Sequence, residues 1–358
     1  MQAQIYADYP FLLKQIIICA YISAMIRSIL VISSFIFLAA LSIAPSSKKI
    51  NGVSLEMPPQ RIGMSQIGSL DEVNAGWVAM IPYAFSSPTE PAIRIASSGH
   101  WWGETVEGTS ECIRMAHRAG LKVMIKPHVW VRGHGWPGDY DLKDEVKWKT
   151  WEKEYTTYIM IYAKVAADLD VELLCIGTEY RKAAEQRPEF WKGLIKKVRA
   201  VYSGKVTYAA NWDNYEKVKF WGELDYIGVD AYFPLSKKPR PSVAELKTNW
   251  KKWETKLKAQ SDVYKRPVLF TEYGYKSIEH ANTGHWNYKE DTLKTSMANQ
   301  VIAYEALFQS VWQRDWMAGG FLWKWHLRDD PKFGGLENRR YTPQGKPAAK
   351  VIAKWYSD

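Results

Sequence analysis

The chain has 358 residues, 47% of them hydrophobic, 14% aromatic and 24% charged, a balance that supports a large core and excludes disordered and fibrous classes. Its net charge of +10 is spread over helical stretches such as Lys196, Lys197, Lys251 and Lys252, where lysines alternate with acids instead of forming one basic tract. Nucleic acid is therefore not an expected partner, while attraction to an acidic polysaccharide or an anionic surface is compatible with the charge.

The first element is apolar. From Met25 a basic residue, Arg27, precedes a short hydrophobic run that ends in the small residues Ala39, Ala40 and Ala44, the pattern of an export signal with cleavage between Ala40 and Ala44. Read from Met1, the apolar stretch extends from Ile16 to Leu41, interrupted by Arg27, and fits a retained membrane anchor. Both readings export the rest of the chain, to a secreted, periplasmic or membrane-anchored location. Residues 1–45 are accordingly a signal or anchor, with translation starting at Met25 as the favoured case, and 46–358 form the globular domain.

Beyond that point short β-rich runs alternate with longer helical patterns. The predicted strands are Ile50 to Ser54, Trp77 to Pro82, Lys122 to His128, Glu172 to Glu179, Lys205 to Asn211, Tyr226 to Tyr232, Pro267 to Glu272 and Gly319 to Trp325. Each is a nearly continuous apolar run, as expected for parallel strands covered on both faces. Between them, Ser69-Leu-Asp-Glu72 and Ser242-Val-Ala-Glu245 match capping boxes, which predicts helix starts at both. Trp151, Tyr155, Tyr158, Ile159 and Tyr162 recur at helical spacing, as do Leu246, Trp250, Trp253 and Leu257, and Val301, Tyr304, Leu307, Phe308 and Val311. Gly120 falls where a left-handed residue ends a helix. Eight βα units in about 310 residues, with no Pro/Gly/Ser-rich linker after residue 60, predict a single (β/α)8 barrel.

In such a barrel the functional site lies at the C-terminal ends of the strands. The predicted rim is His128, Glu179, Asn211, Asp230 with Tyr232, Glu272, and Trp323 with Trp325. Two carboxylates, Glu179 and Glu272, lie 93 residues apart at the ends of the fourth and seventh strands, among polar groups and indoles. This combination suits sugar chemistry: paired carboxylates flank a glycosidic bond, and flat aromatic faces pack on pyranose C–H groups. Trp101, Trp102, Trp130, Trp136 and Trp212 lie on rim loops where indoles would floor substrate subsites, and Trp102 is taken with the substrate-binding set. Cys112 and Cys175 read as small buried apolar residues, with no disulfide framework or zinc spacing. No metal or cofactor is expected.

Several stretches resemble a known family. Gly-Trp-Val-Ala-Met-Ile-Pro-Tyr, Gly-Leu-Lys-Val-Met-Ile-Lys-Pro-His-Val, Cys-Ile-Gly-Thr-Glu, Leu-Asp-Tyr-Ile-Gly-Val-Asp-Ala-Tyr-Phe-Pro, Leu-Phe-Thr-Glu-Tyr-Gly-Tyr and Tyr-Thr-Pro-Gln-Gly-Lys-Pro-Ala are together similar to the β-mannanases of glycoside hydrolase family 113. The resemblance covers most of residues 50 to 358. It implies a retaining glycosidase with Glu179 as acid/base and Glu272 as nucleophile, acting on a β-linked polysaccharide or oligosaccharide. Thr178 stands where the wider clan has asparagine, which leaves the partner of the sugar 2-hydroxyl unassigned; Asn211 is a candidate for it. Tyr232 or Tyr275 would hydrogen-bond Glu272 and keep it ionised. Three alternatives accompany this reading: another β-glycan (glucan, xylan or galactan), a non-catalytic carbohydrate-binding barrel, and a metal-dependent hydrolase built on His128 and His134.

Overall fold

The computed structural model describes residues 49–95, 100–133, 136–284, 293–328 and 330–357. The N-terminal apolar segment, expected from the sequence to be a signal or anchor, and His134 lie outside them. Eleven strands occur among the described residues: β1 (Ile50–Glu56), β2 (Trp77–Met80), β3 (Tyr83–Ser87), β4 (Glu90–Arg94), β5 (Lys122–Ile125), β6 (His128–Val131), β7 (Leu173–Thr178), β8 (Lys205–Asn211), β9 (Ile227–Asp230), β10 (Val268–Tyr273) and β11 (Met317–His326). Eight close into a parallel barrel in the order β1-β11-β10-β9-β8-β7-β5-β2. These are the eight predicted strands, with ends moved by a few residues, and the fold is a (β/α)8 barrel.

The barrel interior begins with an apolar plug. Ile50, Ala79, Met124, Leu173, Cys175, Ala209, Leu269 and Phe321, drawn from seven of the eight barrel strands, pack together and are at most 5% exposed. The eighth, β9, contributes Gly228, where a Cβ would collide with the Tyr208 carbonyl. Outside the strands, helices bury their apolar faces on the sheet. In the helix Glu145–Asp168, Trp151, Tyr155, Tyr158, Ile159 and Tyr162 are fully buried, as their spacing predicts. The Asp144 side chain caps this helix by accepting from Lys147 N–H at 2.8 Å. Gly120 follows the helix Val106–Arg118 with φ of 76°, the expected left-handed stop. Cys112 and Cys175 are both free and buried.

Three expectations are corrected. The predicted third strand splits: β5 ends at Ile125, and His128 opens β6, which pairs with β3 in a separate three-stranded sheet of order β4-β3-β6. Pro127 has no N–H to continue the ladder, and Pro82 divides β2 from β3 in the same way. Ser69 opens a 3-10 helix, Ser69–Val73, but not through a capping box, since Gly68 is the residue that precedes it and no side chain caps it. An α-turn over Met64–Gly68 precedes it, entered through Gly63 N–H donating to Gln66 Oε1 at 2.9 Å. Ser69 itself donates to the Gln66 carbonyl at 2.6 Å and accepts from Trp325 Nε1 at 3.0 Å. At Ser242 only half the capping box forms: its hydroxyl accepts from Glu245 N–H at 3.2 Å, while the Glu245 carboxylate goes to Ser236 and Lys238.

Among the described residues no helix is long and apolar enough to cross a membrane.

Candidate active site

Side chains on a strand alternate between its faces, so the residues above the plug can be counted in steps of two. Met124 leads to Lys126 and His128, Cys175 to Gly177 and Glu179, Gly228 to Asp230 and Tyr232, and Phe321 to Trp323. Four of these residues, His128, Glu179, Tyr232 and Trp323, together with Glu272, line one cavity of about 460 Å³ at the C-terminal end of the barrel. Tyr83, Trp130, Trp136, Thr178 and Tyr341 complete its walls. The volume is within the usual range for a small-ligand site.

Glu272 is 6% exposed and surrounded by donors. Tyr232 Oη donates to its Oε2 at 2.8 Å, and Lys126 Nζ forms a short charged contact with its Oε1. His128 Nε2 stands 3.6 Å from the same oxygen. Lys126 is itself fully buried and also donates to Asp230 Oδ1 at 3.1 Å, where Thr271 Oγ1 donates at 2.7 Å. One buried cation is thus shared by two buried carboxylates. A charge removed from water in this way is tolerated only when paired and hydrogen-bonded.

The resulting electrostatics separate the groups. Burial works against the charge on Lys126, but Asp230 and Glu272 outweigh it and hold the lysine above its ordinary value. Burial, then the charge of Glu272, pushes Asp230 up to about 7 despite Lys126 and Thr271. His128 is lowered by burial and by Lys126 and Lys324, so its imidazole is neutral. Tyr232 is raised well above the usual phenol value by burial and by Glu272, and stays a donor.

Glu179 sits opposite this cluster in a different environment. It follows β7 with φ of 53°, in the left-handed region that non-glycine residues rarely enter. Its backbone N–H donates to the Ala209 carbonyl at 2.8 Å, and its carbonyl accepts from Arg181 N–H at 2.8 Å, which fix the turn. Trp136 Nε1 donates to its Oε2 at 2.6 Å. The indole is held in turn by the Arg181 guanidinium, 5.0 Å from the ring centre and paired with Asp139 and Asp213. Burial first, then the charges of Asp230 and Glu272, raise Glu179 well above the ordinary carboxylate range, against the opposing effects of Lys126 and Trp136. The cavity therefore holds one carboxyl group that keeps its proton and another ringed by hydrogen-bond donors.

Three residues expected in the substrate-binding set, Asn211, Tyr275 and Trp102, do not line this cavity. Asn211, 8% exposed, lies at the end of β8 in register with Asp230. Tyr275 is two residues beyond Tyr273 and shares its outward direction, packing edge-on against Tyr304 at 5.2 Å; Tyr232 alone of the two candidate tyrosines bonds Glu272. Trp102 opens a short 3-10 turn and packs between the helical core and the Arg61 guanidinium. Trp212 also belongs to the helical layer, edge-on to Trp253. Trp325, expected beside Trp323, is fully buried. Register between β1 and β11 slips after Ser54, which turns Trp325 toward Ser69. Trp323 stays in the cavity with its ring parallel to His128, centroids 6.1 Å apart.

Lys126 is the main residue that sequence reading passed over. Its signal was present, a lysine inside Met-Ile-Lys-Pro-His, two steps from Met124 and two from His128. Among the described residues no group of three or more His, Cys, Asp or Glu side chains is gathered as a metal site.

Comparison with known proteins agrees with this geometry. The family pattern of Glycoside Hydrolase Family 113 matches residues 60–346. A family 113 β-mannanase from Alicyclobacillus acidocaldarius superposes with a TM-score of 0.75 at 26% identity, over 86% of this chain and 97% of that one. A second solved structure, a family 113 β-1,4-mannanase, gives 0.74 at 25% identity, over 87% and 99%. A Ruminococcus gnavus β-glucuronidase, at 13% identity and a TM-score of 0.57 over 86% of this chain and 49% of that one, shares the barrel fold. No curated protein sequence matches the chain. With the family pattern spanning most of the barrel, the chain belongs to glycoside hydrolase family 113.

Proposed function

We propose that this glycoside hydrolase cleaves β-1,4-linked mannan with retention, Glu272 acting as nucleophile and Glu179 as acid/base. The observation that carries the assignment is the contrast in surroundings of two carboxyl groups lining one cavity, Glu179 facing Trp136 and Glu272 held by Lys126 and Tyr232. Glu179 holds its proton and donates it to the departing glycosidic oxygen, while Glu272 attacks the anomeric carbon and forms a covalent glycosyl-enzyme. As the leaving group departs, Glu179 becomes a base and takes a proton from the water that releases the sugar. Lys126 and Tyr232 hold and orient the Glu272 carboxyl group, and neutral His128 with Trp323 forms a flat wall against which a sugar ring packs.

The β-mannanases among the similar structures support mannan as substrate. The test is a reducing-sugar assay of the protein on β-linked mannans, glucans, xylans and galactans, with the anomer of the first product followed by NMR. Mannan is expected to be cleaved fastest, with a β product; preference for another glycan would replace the substrate, and an α product would overturn the retaining mechanism. We also propose export through the apolar segment that follows Arg27, supported by its small-residue ending. A native N-terminus containing residues before Met25, found by mass spectrometry, would count against the start at Met25.

A further inference from the structure

The stretch Tyr-Thr-Pro-Gln-Gly-Lys-Pro-Ala, residues 341–348, belongs to the family likeness but supplies neither carboxyl group of the cleft. Its first residue, Tyr341, lines the cavity of the two glutamates. The Tyr341 ring stands edge-on to Tyr232, centroids 5.8 Å apart. It also lies over Gly274, where an added Cβ would come within 3.2 Å of the ring. Tyr232 is the residue whose hydroxyl donates to Glu272 at 2.8 Å. Whatever fixes Tyr341 therefore bears on the donor that orients the proposed nucleophile.

Two buried side chains hold the backbone beside that ring. Lys346 is 4% exposed, and its Nζ donates to the Arg340 carbonyl at 2.9 Å, to Ser277 Oγ at 3.0 Å and to Asn338 Oδ1 at 3.1 Å. An ammonium has three hydrogens, and all three are used. Gln300, fully buried on the helix Met297–Leu307, donates through Nε2 to the Tyr341 carbonyl at 3.0 Å and to the Tyr275 carbonyl at 2.9 Å. The carbonyls of residues 340 and 341 are thus held from two different elements. A turn makes the first hold possible: Gly345 has φ of 64° and Lys346 N–H donates to the Pro343 carbonyl at 2.9 Å, so the chain doubles back and Lys346 reaches 338–340.

Lys346 is a costly way to fill this space. Its three acceptors are uncharged oxygens, and burial brings it down to about 7. A methionine of similar length would pack there without that desolvation cost. Packing does not account for an ionisable group at this position, whereas fixing three acceptors on the segment leading to Tyr341 does.

We propose that Lys346 and Gln300 are positioning residues, which hold Tyr341 against Tyr232 and thereby aim the Tyr232 hydroxyl at Glu272. This inference rests on the reading of Glu272 as the attacking group.

The full chain and its variants are assayed on the glycan cleaved fastest, at a temperature below the melting transition of each, and their crystal structures are compared. Lys346→Met and Gln300→Met should each lower kcat about tenfold with KM changed less than about twofold, because the sugar contacts remain while the aim of the carboxyl group is lost. Tyr341→Ala should also lower kcat. Placed on Tyr341→Ala, neither Lys346→Met nor Gln300→Met should cost more than about twofold again, since both act through the missing ring. In the structures of the two single variants, Tyr341 should have left its place beside Tyr232. Should Lys346→Met fail to fold, Gln300→Met carries the same comparison. An unmoved Tyr341, unchanged kcat in Tyr341→Ala, a loss confined to KM, or full losses in both backgrounds would overturn the inference in active protein. Wild-type protein that cleaves no glycan would instead bring down the functional reading, and with it the link from Tyr341 to turnover.

Discussion

The lower layer of the barrel interior is the plug of Met124, Cys175, Leu269, Phe321 and their neighbours; the layer above it contains Lys126, Asp230 and Thr271. The two layers are two residues apart on the same strands, equally hidden from water, and opposite in chemistry. Below, stability comes from excluding water from apolar surface and filling volume. Above, charges are retained at a desolvation cost that only mutual pairing offsets. The lower layer gives the upper one fixed walls, and the upper layer gives the barrel a reason to be open at that end.

Substitutions in the two layers should separate these roles. The largest effect is expected in the upper layer: Glu272→Gly should reduce mannan hydrolysis to background, measured as reducing ends. Glu179→Ala should reduce it by about 10²- to 10⁴-fold. Azide should then restore turnover in the Glu179 variant with a glycosyl azide of retained configuration; substantial turnover by Glu272→Gly would break the assignment.

Next in size is Lys126→Met, which removes the cation that Asp230 and Glu272 share and leaves two buried carboxyl groups without their partner. It should lower unfolding free energy by about 3–5 kcal/mol at neutral pH. The loss should ease in acid as the carboxylates protonate, and chemical denaturation across pH reads both. Leu173→Ala in the plug should cost about 2–5 kcal/mol through the cavity it leaves. Its loss should be the same at every pH and should leave the pH profile of kcat/KM unchanged. Matching pH dependence in the two variants would remove the distinction between the layers.

A smaller effect follows from the proton on Glu179. The folded protein binds it more tightly than an unfolded chain does, so the linked stability is fully present below the ordinary glutamate range and is lost as pH rises through the raised value. Glu179→Gln cannot ionise. It should melt close to wild type near pH 4 and at a higher temperature than wild type near pH 8. The smallest shift is expected for Trp136→Phe, which removes the N–H that favours ionised Glu179. The alkaline limb of kcat/KM should move upward by less than about one pH unit.

How much of this was readable before folding depends on distance along the chain. The eight barrel strands were legible because each is a local apolar run. The sheet of β3, β4 and β6 was not, since β4 is the short, largely uncovered segment Glu-Pro-Ala-Ile-Arg and two prolines conceal the strand breaks. The positions of Glu179 and Glu272 followed from counting strands. Lys126 could be seen as a charge in an apolar run, but its partners lie 104 and 146 residues away, and that pairing has no local signature. Tyr275 and Trp325 were misplaced because a strand-end residue faces inward or outward according to alternation and bulges, which a one-residue slip reverses.

The left-handed backbone of Glu179 sets the fold and the chemistry against each other at a single position. Glycine enters that conformation without steric penalty, so Glu179→Gly would relieve the backbone and remove the buried acid in one change. With Glu179 as the proposed acid/base, the more comfortable protein at residue 179 is the inert one. A search for variants that tolerate heat, made without a screen for turnover, would be drawn toward that substitution and would select a well-folded barrel that no longer cuts sugar.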